Sequence, residues 1–186
     1  GKLYFGSDDG CAYCINAADG SPVWKHRAAP DDRQIPSDGK LISPWPVRTG
    51  VLVQDGKACF AASLLPWRES YVCALDAQTG SASADGCYRV AHGNMTMQGA
   101  MLASSSGLYV SQGRLSPVAF RLGDGSLLGR FGANQQGGVF ALLTPDDNLV
   151  HGRGIFQGGL WGDAMGFFPG GNHMVVTPDR SYVHTD

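Results

Sequence analysis

Residues 1–7 read GKLYFGS, and versions of this short pattern return four times along the chain. The clearest copies are GKACFAA at 56–62 and SGLYVS at 106–111, and weaker copies occupy 148–152 and 181–184. Neighbouring copies are 55, 50, 41 and 33 residues apart, a mean of about 45 residues, which is the length of a four-stranded propeller blade. The repeat therefore predicts an all-β protein made of successive small sheets, a β-propeller.

Each later copy follows a short apolar strand and a tight turn, and two further strands come after it. In the second repeat, Val51–Val53 precedes the turn Gln54–Gly56, and Tyr71–Asp76 supplies a third strand. Apolar runs bounded by Asp, Gly, Pro or Asn are the sequence signal of β-hairpins. We name the four strands of a blade inner, second, third and outer, in chain order. The pattern predicts about four four-stranded antiparallel blades, at residues 1–27, 48–84, 98–131 and 139–168, with part of another at 173–186.

The composition excludes three classes of protein. Hydrophobic residues make up 43% of the chain, which is enough to bury a core and argues against a disordered polymer. The 14 basic residues do not outnumber the 16 acidic ones, so the chain is not an electrostatic nucleic-acid binder. No apolar run approaches the ~18 residues of a membrane-spanning helix, so no direct membrane span is expected.

The five cysteines are expected to be structural. Cys11 and Cys14 form a C-x-x-C pair inside an alternating strand pattern. Residues three apart on a strand point to opposite faces, so the two thiols are poorly placed to share a metal ion. No second C-x-x-C completes a zinc site, and no histidine follows Cys14, which excludes covalent haem attachment. We therefore predict buried cysteines that behave as small hydrophobic residues, and no metal site.

Two of the third strands run into a recognisable turn signature. Residues 74–80 read ALDAQTG and match the first seven positions of the motif A-x-D-x-x-T-G-x-x-x-W. Residues 14–24, CINAADGSPVW, keep its spacing and its tryptophan, and residues 119–125 keep its alanine and glycine. On these residues the chain resembles the bacterial pyrroloquinoline-quinone-like (PQQ-like, quinoprotein alcohol dehydrogenase-like) repeat propellers, a family similar to the outer-membrane assembly lipoprotein propeller.

The resemblance implies how neighbouring blades pack. In that family the tryptophan lies between adjacent blades, and the aspartate and glycine of the motif form the tight turn. Ala84 and Gly129 stand at the tryptophan position of the second and third blades, so we expect only the first blade to keep this contact. The residues expected to support blade docking are Asn16, Gly20, Trp24, Asp76, Gly80 and Gly125.

The resemblance also implies a setting for the chain. Rings of this family usually contain seven or eight blades, whereas 186 residues supply about four. We therefore expect an open part of a larger ring, with the rest of that propeller as a partner. A periplasmic or cell-envelope location is implied as well, although no signal peptide is visible in the sequence.

The longest insertions fall on one face of the predicted propeller. They occupy residues 28–47, 63–69 and 85–98, which are outer-to-inner or second-to-third connections. Extra loops on one face of a repeat protein usually mark its binding face, but they could equally fill gaps where docking tryptophans are missing. Polar residues at the inner-strand entrances could bind a polar ligand or merely line a wet channel. The candidate binding residues are Arg48, Trp67, Arg68, His92, Gln98, Asn172 and His173.

No catalytic constellation stands out from the sequence. There is no G-x-S-x-G nucleophile elbow, and the adjacent cysteines and calcium ligands of quinoprotein dehydrogenases have no assignable counterparts. The first hypothesis is a non-catalytic binding or scaffold module for a protein or polysaccharide ligand, with no assignable cofactor. The alternative is a segment of a PQQ-dependent alcohol or sugar dehydrogenase, with PQQ and calcium as cofactors.

Overall fold

In the computed structural model, the chain folds into successive small antiparallel sheets. The structure describes residues 1–105, 107–113, 115–130, 141–143, 149–151, 154–156, 164–167, 171–177 and 179–185. Every regular element within these ranges is a β-strand, which confirms the predicted all-β fold. None of the described residues forms a helix long and apolar enough to cross a bilayer.

The first three blades run from the beginning of the chain to Arg130, and their strands pair in sequence order. The first blade contains β1 (Lys2–Gly6), β2 (Cys11–Asn16) and β3 (Pro22–Arg27), and a separate hairpin of β4 (Ile35–Ser37) and β5 (Lys40–Ile42) follows it. The second contains β6 (Leu52–Gln54), β7 (Lys57–Ala62), β8 (Ser70–Asp76) and β9 (Tyr88–His92). The third contains β10 (Leu102–Ala103), β11 (Gly107–Gln112), β12 (Leu115–Arg121) and β13 (Leu127–Arg130).

Two further sheets follow with the same meander. The fourth contains β14 (Ala141–Leu143), β15 (Leu149–His151), β16 (Gly154–Phe156) and β17 (Ala164–Phe167), and the fifth contains β18 (Gly171–Val176) and β19 (Ser181–Thr185). The five copies of the sequence pattern lie on β1, β7, β11, β15 and β19, so each copy supplies a second strand.

The hydrophobic core lies between the sheets, because the second and third blades carry apolar clusters on both of their faces. On β7, Phe60 packs towards the first blade, in a cluster with Trp24 and Leu75. Its neighbour Cys59 points the other way, into a cluster with Phe120 of the third blade. Alanine fills three of the remaining four β7 positions, and such small side chains allow two sheets to approach closely. Cys11, Cys14, Cys59 and Cys73 are buried, and all five cysteines are free thiols.

The outer strand of the second blade differs from the sequence prediction. We expected this blade to end at residue 84, whereas its sheet includes β9 and continues to His92. Tyr88 pairs with Ala74 as Trp24 pairs with Cys14, so Tyr88, and not Ala84, occupies the tryptophan position. The cause is the segment 81–87, which separates the turn glycine from the strand by more residues than in the first blade. The prediction that residues 85–98 form one continuous loop was therefore wrong.

Candidate functional site

Several connections converge at one end of the first three blades. The backbone N–H of Ser43 donates to the carbonyl of Asp8, over 2.7 Å, and that of Val47 donates to Ser7, over 2.9 Å. The N–H of Gly99 in turn donates to the carbonyl of Arg48, over 3.1 Å. The β1–β2 turn, the long segment before β6 and the segment before β10 are thereby tied together. They form a single surface, which we call the loop face.

A pocket of about 340 Å3 opens on the loop face. Its lining combines one cation with neutral polar groups and aliphatic walls: Arg48, Ser63, Leu64, Thr96, Met97, Gln98, Gln112 and Leu115. A second pocket of about 350 Å3 shares Arg48 and is lined mainly by the entrances of β6 and β10. Two of the predicted binding residues, Arg48 and Gln98, therefore meet in one pocket.

The floor of the first pocket is a buried polar network. The Ser63 hydroxyl accepts the N–H of Met97, over 3.1 Å. The Gln112 side chain donates through Nε2 to the carbonyl of Ser116, over 2.6 Å, and its Oε1 accepts the N–H of Thr96, over 3.4 Å. Ser63 and Gln112 are almost fully buried. Buried polar groups with their partners in place hold a surface in one shape, so the pocket is preformed.

An ion-pair cluster holds Arg48 at the pocket edge. Arg48 Nε donates to Asp8 Oδ1, over 2.7 Å, and Lys40 Nζ donates to Asp8 Oδ2, over 2.9 Å. These two bonds hold the pKa of Asp8 at about 2, with the bond from Arg48 contributing most, so this carboxylate is ionised at neutral pH. Within the described part of the chain, the two terminal nitrogens of Arg48 have no hydrogen-bond partner.

Trp67 and Arg68 lie on the 63–69 loop, which also lines the pocket through Ser63 and Leu64. The Trp67 side chain is 75% exposed. Arg68 lies over the ring of buried Trp45, at 5.3 Å from its centroid, and its buried Nε has no partner among the described residues. The Trp45 indole donates to the carbonyl of Glu69, over 2.7 Å, and fixes the end of the loop.

His92 is not a loop residue, contrary to the prediction. It ends β9, where its Nε2 lies 2.9 Å from the carbonyl oxygen of Gly125 and its ring lies 4.8 Å from the ring of Phe120. The side chain is therefore part of the contact between the second and third blades. Asn172 and His173 lie on β18, and their binding role stays a prediction.

The residues expected to support blade docking form two similar contacts. Trp24 lies over Gly80 and donates through Nε1 to the carbonyl of Ala77, over 3.1 Å. Tyr88 lies over Gly125 in the same way, but its buried hydroxyl has no partner among the described residues.

The side chains at the start of each turn stabilise it locally. Asp76 Oδ1 accepts the N–H groups of Gln78 and Thr79, over 3.0 and 2.7 Å. In the first blade, Asn16 Nδ2 donates to the Ser21 hydroxyl, over 2.6 Å. Gly20 occupies the position of Gly80, and no atom lies where its side chain would be. The contacts stabilise the turns, and neither pocket is lined by Asn16, Gly20 or Asp76.

Several residues of the site were not predicted from the sequence. Asp8, Lys40, Thr96 and Gln112 contribute to it, and no short motif contains any two of them. Asp8 lies in the second-to-third connection of the first blade, which is the class of loop that the sequence did assign to this face. That position in the repeat is the one signal that could have drawn attention to it.

The described residues show no ready-made metal site of acidic, cysteine or histidine ligands. They contain no group of three or more His, Cys, Asp or Glu side chains able to hold a metal ion. Neither an aromatic ring nor a carboxylate lines the first pocket. The pocket is suited instead to a polar or anionic group that can accept hydrogen bonds.

Comparison with known proteins identifies the fold. No protein-family model matches the chain, and no curated protein matches it. The crystal structure of BamB from Moraxella catarrhalis superposes with a TM-score of 0.60 and 14% identity, covering 99% of this chain and 51% of that one. A europium-containing methanol dehydrogenase gives a TM-score of 0.46 and 19% identity over 78% of this chain and 25% of its own. The chain thus spans about half the length of the BamB structure, and its fold is that of the PQQ-like β-propellers.

Proposed function

We propose that the chain is a non-catalytic binding module and that its loop face binds a protein. The observation that carries this proposal is a pocket lined in part by the same loop that carries an exposed tryptophan. Arg48 lies at the pocket edge, and Trp67 lies on the loop that supplies Ser63 and Leu64 to the lining. Tryptophan and arginine are the residues most often found at the energetic centre of protein interfaces.

The contacts of the 63–69 loop hold it in one shape, which supports the proposal. The N–H of Arg68 donates to the carbonyl of Leu65, over 3.0 Å, which closes a turn around Trp67. The Arg68–Trp45 contact and the Trp45–Glu69 hydrogen bond then hold the turn against the sheets. A side chain presented by an ordered loop loses less conformational entropy on binding. Trp67 is therefore better explained as an anchor for a partner than as a stray surface residue.

The other hypotheses have less support. A polysaccharide could also stack on Trp67, but the pocket beside it has aliphatic rather than aromatic walls. The dehydrogenase alternative requires a quinone and a metal ion, and no group of three or more His, Cys, Asp or Glu side chains among the described residues favours it. A periplasmic or cell-envelope location agrees with the sequence resemblance and forms part of this proposal.

Site-specific photo-crosslinking in living cells tests the proposal. A photoreactive phenylalanine analogue replaces Trp67 on the loop face or, as a matched control, exposed Gln78 in a turn between third and outer strands. We expect a protein adduct from position 67 and none from position 78, with the partner peptide identified by mass spectrometry. Adducts only from position 78, or adducts at 67 that contain sugar instead of peptide, would contradict the proposal.

A further inference from the structure

We infer that the pocket beside Arg48 takes the carboxylate of an aspartate or glutamate side chain from the bound protein. This inference rests on the proposed function and specifies the chemistry of the partner. It is carried by three features of the pocket, which are its charge, the hydrogen-bond donors at its edge and the nature of its walls.

The pocket edge has an excess of positive charge. The Asp8 carboxylate is shared by two cations, Lys40 and Arg48, which lie 2.9 and 2.7 Å from its oxygens. The cluster as a whole therefore retains about one positive charge. The lining contains no other charged side chain, and the nearby Asp9 is paired with Lys25. An anionic group in the pocket would be attracted without meeting a carboxylate in the lining.

The donors at the edge match a carboxylate. Asp8 holds Arg48 through Nε alone, which fixes the guanidinium and leaves its two terminal nitrogens for another acceptor. A planar guanidinium donates two parallel hydrogen bonds to the two oxygens of a carboxylate. Gln98 lines the same pocket, and its amide group lies against the backbone of Gly113. Its Nε2 is a third donor to the ligand.

The walls favour an amino-acid side chain over an acidic sugar. Leu64 and Leu115 add aliphatic surface to the polar groups of the lining. The methylene groups of a glutamate stem can pack on such a surface while the carboxylate reaches Arg48. A volume of about 340 Å3 accommodates one such side chain and part of the chain that bears it. A sugar ring would leave more of its hydroxyl groups without partners among the lining residues.

Titration with defined peptides tests the inference. The probes are capped hexaglutamate, its uncharged counterpart hexaglutamine, and hexagalacturonate as an acidic sugar. They are added to the protein and to two variants, Arg48→Gln and the control Arg121→Gln, which alters an exposed arginine paired only with Asp124. Binding is followed by calorimetry, and by amide chemical shifts of Thr96, Gln98 and Leu115. A further variant, Gln98→Met, removes the amide donor and leaves the ion pairs intact.

We expect hexaglutamate to bind and to shift the pocket amides, and hexaglutamine not to bind. Arg48→Gln should weaken hexaglutamate binding by about tenfold or more, since hydrogen bonds to charged groups are the strong ones. Gln98→Met should weaken it less, and Arg121→Gln should leave it unchanged. The inference is overturned if hexaglutamate does not bind, if Arg48→Gln binds as well as the unaltered protein, or if hexagalacturonate binds more tightly.

The two proposals fail in different ways. If the peptide results are negative while the crosslinks at position 67 persist, the loop face binds a protein that does not use this pocket. If the crosslinks are absent while hexaglutamate binds through Arg48, the pocket takes a carboxylate from a source other than a protein partner at this face.

Discussion

Trp24 and Tyr88 occupy the same position in consecutive blades, but only one of them has its polar atom satisfied. The Trp24 indole donates to the carbonyl of Ala77, whereas the Tyr88 hydroxyl is buried without a partner among the described residues. Burial raises the pKa of Tyr88, so the hydroxyl stays protonated and gains nothing from ionisation. Tyr88 therefore contributes to docking through its ring.

This comparison predicts the effect of removing the hydroxyl. Tyr88→Phe should leave the free energy of unfolding unchanged or raise it by up to about 1 kcal/mol, because an unsatisfied buried group is removed. Tyr88→Ala should lower it by about 3–5 kcal/mol, as for other large buried aromatic residues. The control is Tyr71→Phe, which loses a 3.0 Å hydrogen bond to Glu69 and should lower it by about 0.5–1.5 kcal/mol. Urea unfolding measures all three, and a marked loss in Tyr88→Phe would reveal a hydroxyl partner.

Asp8 gives the loop face a dependence on pH. Its pKa of about 2 in the folded chain lies below the ordinary value of about 3.9 in an unfolded chain. The ionised group therefore stabilises the fold fully above about pH 5, and this contribution is lost as the pH falls towards 2. Asp8→Asn should lower the free energy of unfolding at pH 6 by about 0.5–1 kcal/mol, the range for partly exposed ion pairs. Its effect should be much smaller near pH 2, where about half of the Asp8 carboxyl groups are protonated in the folded chain. Urea unfolding at both pH values measures the difference.

The matched control is Asp32→Asn, an exposed carboxylate for which the described residues provide no ion-pair partner. Its effect on stability should be small and similar at the two pH values. If Asp8→Asn destabilised the protein equally at pH 6 and pH 2, the Asp8 carboxylate would not be held by Arg48 and Lys40.

At the scale of the element, the turn between the third and outer strands is where one blade meets the next. Gly20 and Gly80 both have a φ of +71°, so alanine strains the backbone of either turn. A side chain at Gly80 would also come within 2.7 Å of Trp24 Cγ, whereas nothing lies within 4 Å of one at Gly20. Both positions therefore favour glycine because of the positive φ, but only Gly80 also needs glycine to leave room for Trp24.

This difference can be measured with a pair of substitutions. Gly20→Ala should lower the free energy of unfolding by about 1–2 kcal/mol, the strain of a left-handed residue. Gly80→Ala should lower it by a further 1–3 kcal/mol or so, because Trp24 is displaced from the turn. Urea unfolding gives the free energies, and the tryptophan emission maximum of Gly80→Ala should shift to the red. Equal losses in the two variants would mean that Trp24 does not dock on Gly80.

The same elements show what the sequence could predict. The second strands β7 and β11 repeat the pattern of β1 closely enough to be recognised in the sequence, because each lies between two apolar clusters that restrict its residues. Strand β9 was misplaced because the repeat does not specify the length of the segment before it, residues 81–87, which is longer than its counterpart in the first blade. The hairpin of β4 and β5 was missed although its turn, Asp38-Gly39, has the two positive φ values that mark Asp-Gly as a hairpin signal.

At the scale of the whole molecule, the site was only half predictable. Arg48 and Gln98 occupy equivalent positions in the repeat, and this equivalence placed both at the entrances of inner strands. Asp8, Lys40 and Gln112 come from three other segments, and their convergence depends on how the blades pack side by side. Repeat spacing fixes the position of a residue along its blade, but it does not show which loops fold over which blade.

The face of the first blade that points away from the second blade is apolar and exposed, whereas the equivalent face of the second blade is buried against the first. On β7, Ala58 and Phe60 are fully buried, whereas Leu3 and Phe5, at the same positions of β1, are 53% and 42% exposed. Phe5 stacks on Tyr13, with ring centroids 5.2 Å apart. Leu3 and the Phe5 ring thus leave apolar surface exposed on the first blade. Among the described strands β1 pairs only with β2, so its other edge has no strand partner there. Exposed apolar patches and open strand edges promote association.

We therefore expect a preparation of these 186 residues to self-associate at micromolar concentration through this face. The double substitution Leu3→Ser and Phe5→Ser should yield a monomer, because it removes the apolar surface and leaves the interface with the second blade intact. The control is Leu41→Ser, since Leu41 is 63% exposed but lies on the separate hairpin of β4 and β5. Sedimentation velocity distinguishes the species. A monomeric unaltered protein would contradict the prediction, and association that persisted in the double variant but disappeared in Leu41→Ser would place the contact on the hairpin instead.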